Sequence, residues 1–178
     1  MSFPTPTKLQ FPITPYEVTG YPFHKMVRRW YILWATHLGD DITAPAGTHI
    51  NAIGDGEVVW SQMRLGDELK RNWGGIIVIG HQAQKPSNKI ETFYSVYGHM
   101  TDLQFSVGDK VSGGQQIGVV AKGYTPENGW WKLPHVHFGI YTGPWKDEIV
   151  PGYKRIEESR TKTKWWKNPK TFIDQYNE

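Results

Sequence analysis

Short apolar runs recur along this chain between clusters of Gly, Asp, Asn and Pro, and that punctuation predicts a series of short strands. The runs are "WYILWAT" (30–36), "GTHINAI" (47–53), "GEVVWSQM" (56–63), "GGIIVIGH" (74–81), "TFYSVYGHM" (92–100), "QQIGVVAK" (115–122) and "HVHFGIYTG" (135–143). Each is rich in β-branched or aromatic residues, which suit a pleated surface. Gly-Asp steps in "IGDGEVV" and "SVGDKVSGGQQIG" mark tight connections between antiparallel strands. Residues 1–28 carry prolines at 4, 6, 12 and 15, which helix interiors and central strands exclude, so this stretch reads as an irregular lead-in. The closing "KNPKTFIDQYNE" predicts a short helix from Pro169, capped by Asn168. Longer loops are expected near 64–73 and 82–91, and no internal repeat or low-complexity segment is visible.

Length and composition narrow the class. A chain of 178 residues fits one domain with a real core. Nineteen Gly, twelve Pro, nine Trp and nine Tyr favour strands and turns over a helical bundle. The expected fold is therefore mainly β, a single domain of antiparallel sheet with few short helices. With no cysteine, disulfides and thiolate chemistry are excluded, and any transition metal must be held by His and carboxylates. The lead-in has no apolar stretch of signal-peptide length, and nowhere do about 18 apolar residues run together, so neither a leader nor a membrane span is expected. The compartment and the export route stay open. The net charge of +3 is mild, but residues 154–167 hold six basic and two acidic side chains. That tail reads either as a solvated charged loop or as a contact for an anionic polymer such as bacterial wall or nucleic acid.

Candidate chemistry sits on the histidines. In "LPHVHFGIY", strand alternation puts His135 and His137 on one face, with Val136, Phe138 and Ile140 turned to the core. Taken alone, such a pair is weak evidence for a site, since exposed His-x-His pairs occur on strands without any metal. In "THLGDDI", His37 and Asp41 flank Gly39, which permits a loop that folds an imidazole and a carboxylate back to one point; the other reading is a polar turn capped by Asp40 or Asp41. In "YSVYGHM", alternation sets Tyr97 and His99 on one face and Val96 and Gly98 on the other.

The order "HLGDDI", "PAGTHINAIGDGEVV", "GGIIVIGH", "YGHM", "VGDKVSGGQQIGVV", "PHVHFGIY", over roughly residues 33–143, resembles the lysostaphin-type (LytM-like) zinc endopeptidases, which hydrolyse the peptides of bacterial peptidoglycan. The resemblance implies a duplicated-hybrid-motif β fold with an open groove. It implies that His37, Asp41 and His137 hold one zinc ion and that His99 and His135 are the catalytic pair beside it. Three protein ligands leave a position open, as a catalytic zinc requires, and a zinc-activated water would attack the peptide bond. One of the two catalytic histidines would accept the water's proton and the other would stabilise the oxyanion, in an order left undecided. Asp40 is either an acceptor for a ligand imidazole or exposed. His24, His49 and His81 are expected to be non-ligands.

The implied function is a zinc endopeptidase acting on the cross-bridge or stem peptide of peptidoglycan. Two alternatives stand beside it: a non-catalytic wall-binding or hydrolase-activating module, and a zinc peptidase with a non-wall substrate. The wall peptide is the expected partner, with no nucleic acid, a monomeric state, and action in the periplasm, wall or extracellular space. The expected organisation is a lead-in at 1–28, a peptidase core at 29–145 and a basic, Trp-containing extension at 146–178 that packs on the core. Three departures from the family bear on specificity. The approach to the His-x-His pair, "GYTPENGWWKLPH", is long and places Trp130, Trp131 and Lys132 at the cleft wall; Gly75 stands where relatives have Asn; and the 82–91 loop is long.

Overall fold

The computed structural model describes residues 2–29, 33–84, 90–148, 151–155 and 160–178. Among them run twelve strands: β1 Met26–Arg29, β2 Leu33–His37, β3 Asp40–Thr43, β4 His49–Asn51, β5 Gly56–Arg64, β6 Gly74–Gln84, β7 Ile90–Thr101, β8 Lys110–Val111, β9 Gln116–Val120, β10 His135–Tyr141, β11 Tyr153–Arg155 and β12 Trp166–Lys167. One α-helix, α1, spans Pro169–Tyr176, with Asn168 accepting from the Thr171 N–H at 3.0 Å as its cap. The chain is mainly β, as its punctuation predicts. Residues 30–32 of the first predicted run lie outside the described residues.

Antiparallel pairing builds two sheets. The larger follows the path β12-β10-β7-β6-β5-β8, with β3 added to β10 and β4 joined through β9 to β7; the smaller is β1-β2-β11. Both faces of the large sheet are covered, which explains why "IIVI" in β6 is a continuous apolar run: Ile76, Ile77, Val78 and Ile79 are all fully buried. Ile77 and Ile79 pack on one face with Tyr97, Val136, Phe138 and Ile140, while Ile76 and Val78 pack on the other with Val96, Leu38 and Trp166.

Three expectations are corrected. The described residues of the predicted 82–91 loop are sheet, because β6 and β7 continue pairing through Gln82↔Thr92, Ala83↔Glu91 and Gln84↔Ile90; residues 85–89 lie outside the described residues. The basic tail is not a free loop at its ends: β11 pairs with β2, and β12 pairs with β10, burying Trp166 beside Tyr141 at 5.1 Å between ring centroids. Residues 156–159 of the tail lie outside the described residues. The lead-in is irregular until β1 yet tightly held, with Phe3, Leu9 and Ile13 buried in the two apolar clusters. Asn177 clasps it from the other end of the chain, accepting from the Leu9 N–H at 2.9 Å and donating to the Leu9 carbonyl at 2.8 Å.

Candidate metal centre and cleft

The site forms where β2, β3, β7 and β10 meet. β10 pairs with β3 on one side and β7 on the other, and the register sets His137 opposite both Asp41 and Gly98. His37 ends β2, and Leu38 and Gly39 turn the chain into β3, so Asp41 returns to His37. Gly39 serves here through close approach: a Cβ on it would lie 2.5 Å from the Phe138 carbonyl and 2.7 Å from His137 Nε2.

Three ligand atoms converge. His37 Nε2 lies 2.9 Å from His137 Nδ1, and Asp41 Oδ1 lies 3.2 Å from each of them. A tetrahedral zinc with bonds of about 2.0–2.1 Å spaces its ligands about 3.3 Å apart, so the triangle has the size of such a site. The donor chemistry agrees. His37 Nδ1 donates to the Pro22 carbonyl at 3.3 Å, which leaves Nε2 with a lone pair. Two imidazole nitrogens and a carboxylate oxygen facing one another are jointly satisfied by a cation, and the residues fit a divalent ion. Among the described residues, His37, Asp41 and His137 are the one group of His, Asp and Glu side chains gathered tightly enough to hold a metal. All three are buried.

His99 reaches the site by a route that alternation does not predict. Tyr97 pairs with Ile77 and Met100 with Gly75, so a step of three on β7 (97 to 100) spans a step of two on β6 (77 to 75). The extra residue makes a bulge, and His99 adopts φ 63° within it. Tyr97 therefore enters the core, where its hydroxyl accepts from the Ile53 N–H at 3.1 Å, whereas His99 turns to the other side and stands 4.6 Å from His135 and 6.3 Å from His137 between ring centroids. The expectation that Tyr97 and His99 share a face is corrected by this bulge. Gly98 matters for the same reason: a Cβ there would meet the Trp73 ring at 2.4 Å, and that indole packs on both His99 (5.9 Å) and His137 (5.0 Å).

The second histidine of the pair is fixed by its own backbone neighbourhood. His135 Nδ1 donates to the Leu133 carbonyl at 2.8 Å, so Nε2 carries the lone pair and sits 3.9 Å from Asp41 Oδ1. Charge in the site is graded. Burial would raise the Asp41 carboxyl, but hydrogen bonds and attraction to His137 and His37 outweigh it and hold the group well below the usual carboxylate range. Burial pushes His137 down to about 4, and burial together with the neighbouring imidazoles pushes His99 well below its ordinary value. His99 and His137 are thus held neutral beside a charged Asp41 carboxylate.

Asp40 is neither a partner of an imidazole nor exposed. It is buried, accepting from the Tyr16 hydroxyl at 2.7 Å and from the Phe23 N–H at 2.8 Å, which ties the lead-in to the site. The remaining histidines stand apart. His24 is exposed and stacked on Phe23, His49 is exposed on β4, and buried His81 donates to the Asp55 carbonyl while accepting from Ser95. Gly75 has no room for a side chain, since a Cβ would lie 2.1 Å from the Met100 carbonyl.

Two cavities open on the site, of about 250 Å³ beside His99 and His137 and about 400 Å³ beside Asp41 and His135. Trp131 borders both, while Lys132 borders the larger. Trp130 instead turns its carbonyl to Arg71, and both cavities also touch Arg71. Sequence reasoning missed Trp73, Arg71 and the lead-in contacts. An aromatic residue before the paired glycines of "NWGG" was the available signal for Trp73; for the others none existed.

A mainly antiparallel β scaffold that carries a His/Asp triangle on the floor of a cleft defines a hydrolase scaffold of the lysostaphin type. The chain belongs to Peptidase family M23, whose family model matches residues 35–149. DD-carboxypeptidase/endopeptidase Mpg of Neisseria meningitidis is 29% identical over 119 residues, or 67% of this chain and 22% of that protein, so the chain spans under a quarter of this relative's length. The catalytic domain of the antimicrobial peptidase lysostaphin from Staphylococcus simulans shares the fold with a TM-score of 0.52 at 20% identity, over 87% of this chain and 90% of that one. A mutant catalytic domain of the prophage-encoded M23 protein EnpA from Enterococcus faecalis superposes with a TM-score of 0.53 at 28% identity, over 77% and 88% of the two chains.

Proposed function

We propose that this chain is a zinc-dependent endopeptidase that hydrolyses a peptide bond in the cross-bridge or stem peptide of bacterial peptidoglycan. His37, Asp41 and His137 hold the ion. The observation that carries the reading is the convergence of three ligand atoms within 2.9–3.2 Å, with His99 and His135 beside them on the cleft side. Membership of family M23 and the peptidase names of its relatives support the reaction class.

When bound there, zinc supplies Lewis acidity, polarising a carbonyl oxygen and making water acidic enough to lose a proton near neutral pH. His135 is the proton acceptor, because its Nδ1 is committed to the Leu133 carbonyl and its Nε2 lone pair stands in the site. Asp41, 3.9 Å from that Nε2, stabilises the imidazolium that results, and His135 then returns the proton to the leaving amine. His99, held neutral by burial and 4.6 Å from His135 between ring centroids, is the remaining imidazole on the cleft side and the one left to stabilise the oxyanion. Residues 29–145 form the peptidase core, with 1–28 and 146–178 supporting it, and the protein acts as a monomer in the wall, periplasm or extracellular space.

The test pairs metal content with turnover. Purified protein incubated with defined peptidoglycan is expected to release new amino termini, located by mass spectrometry. His99→Ala and His135→Ala should keep the zinc and lose about 10²–10⁴-fold in rate. His37→Ala and His137→Ala should lose the zinc itself. Full zinc occupancy with no wall peptide cut would favour a binding module instead.

A further inference from the structure

We propose that Arg71 anchors a carboxylate of the substrate peptide close to the bond that is cut, which makes the enzyme selective for a wall peptide carrying a free acid there; this rests on the peptidase reading above. Arg71 borders both cavities that open on the site. Its guanidinium lies over the Trp131 ring, 5.1 Å from the centroid, and that ring is in turn 5.7 Å from His99 and 6.4 Å from His135. One indole therefore separates the cation from the two histidines.

The side chain is exposed yet held. Nη1 donates to the Trp130 carbonyl at 3.1 Å, and Trp131 Nε1 donates back to the Asn72 carbonyl at 3.1 Å, so the two loops cross-brace each other. Stacking on the indole uses the face of the guanidinium, and the Trp130 carbonyl uses one nitrogen. The Nε and Nη2 edge stays available as a planar two-donor fork, the geometry that matches a carboxylate. Among the described residues no carboxylate pairs with Arg71, although acids lie on the same loops. Asp67, for example, accepts from the Leu69 and Lys70 N–H groups at 2.8 Å each. A held, unpaired guanidinium at the junction of two subsites suits an anionic group on the ligand, and a bidentate bond gives it direction as well as charge.

The experiment uses matched synthetic wall peptides that differ only in whether one carboxyl near the cut bond is free or amidated. Zinc-loaded wild-type protein is expected to show kcat/KM about tenfold to a hundredfold higher for the acid than for the amide. Arg71→Gln keeps an N–H for the Trp130 carbonyl and removes the charge; it should abolish that preference, so that acid and amide are cut with equal kcat/KM. Arg71→Lys should retain part of the preference. Wild type that cuts acid and amide equally, or an Arg71→Gln variant that still prefers the acid, would overturn the proposal. Binding separates the two readings: if no peptide is cut at all, the peptidase reading fails, while quenching of tryptophan fluorescence by acid but not amide peptide, lost in Arg71→Gln, still upholds the carboxylate anchor. Equal quenching by both peptides sinks it.

Discussion

The Tyr16 hydroxyl donates to the Asp40 carboxylate at 2.7 Å, and this bond fastens the Pro-rich lead-in against the strand that carries Asp41. The second oxygen of Asp40 accepts from the Phe23 N–H, next to Pro22, whose carbonyl fixes the tautomer of His37. The lead-in also pairs along the site strands, with Gly20 N–H donating to the Asp41 carbonyl at 3.2 Å and Asp41 N–H donating to the Tyr21 carbonyl at 2.9 Å. Tyr16→Phe is expected to cost about 1.5–3 kcal/mol in urea unfolding, because it removes a part-buried bond to a charged acceptor. Zinc affinity, titrated with a chelating indicator, should fall by about tenfold, the lower end of the effect of disturbing a ligand's outer contacts.

Gly39→Ala tests the close approach beneath His137. The added methyl must displace either the Phe138 carbonyl or the His137 ring. A loss of about 1–3 kcal/mol in stability is expected from overpacking. The more telling readout is zinc stoichiometry, which should fall even in protein that remains folded by circular dichroism.

Removing the metal should destabilise the fold through linkage. At free zinc a hundredfold above its dissociation constant, binding adds about 2.7 kcal/mol to the folded state. For a chain of this size that corresponds to roughly 5–10 °C in thermal midpoint. The midpoint should drop on chelation and recover on adding zinc, while His137→Ala should show neither response.

His81 sets a pH dependence separate from the site. It is fully buried, and burial lowers its pKa from 6.5 to about 4, against a smaller opposing pull from its bond to Asp55. The folded value is depressed, so the stabilisation is complete above about pH 6.5 and is lost as pH falls through about 4. The difference corresponds to about 3 kcal/mol. Urea unfolding between pH 6.5 and 4 should decline less steeply in His81→Gln than in wild type.

Much of this was legible in the sequence because the relevant signals are local. The strands of the large sheet announce themselves by apolar runs between Gly and Asp turns, and α1 by Asn168 before Pro169. His37, Asp41 and His137, which the structure gathers, fall on short local motifs, as do His99 and His135 beside them. What escaped reading depends on contacts distant in sequence. The bulge at His99 arises from register with β6, not from the letters around it. Asp40 is an ordinary turn acid until Tyr16 and Phe23 come to meet it. The lead-in has no periodicity, so its burial of Phe3, Leu9 and Ile13 leaves no pattern to detect. β12 is too short to advertise itself and forms only where β10 offers an edge.

The Asn177–Leu9 clasp joins positions 168 apart in sequence, and Tyr176 reinforces it by donating to the Pro6 carbonyl at 2.7 Å. Loosening α1 would free the stretch around Pro6 and Leu9, whereas Pro22 stays anchored through Tyr16, Gly20 and Phe23, so wear at the far end of the chain would stop short of the His/Asp triangle.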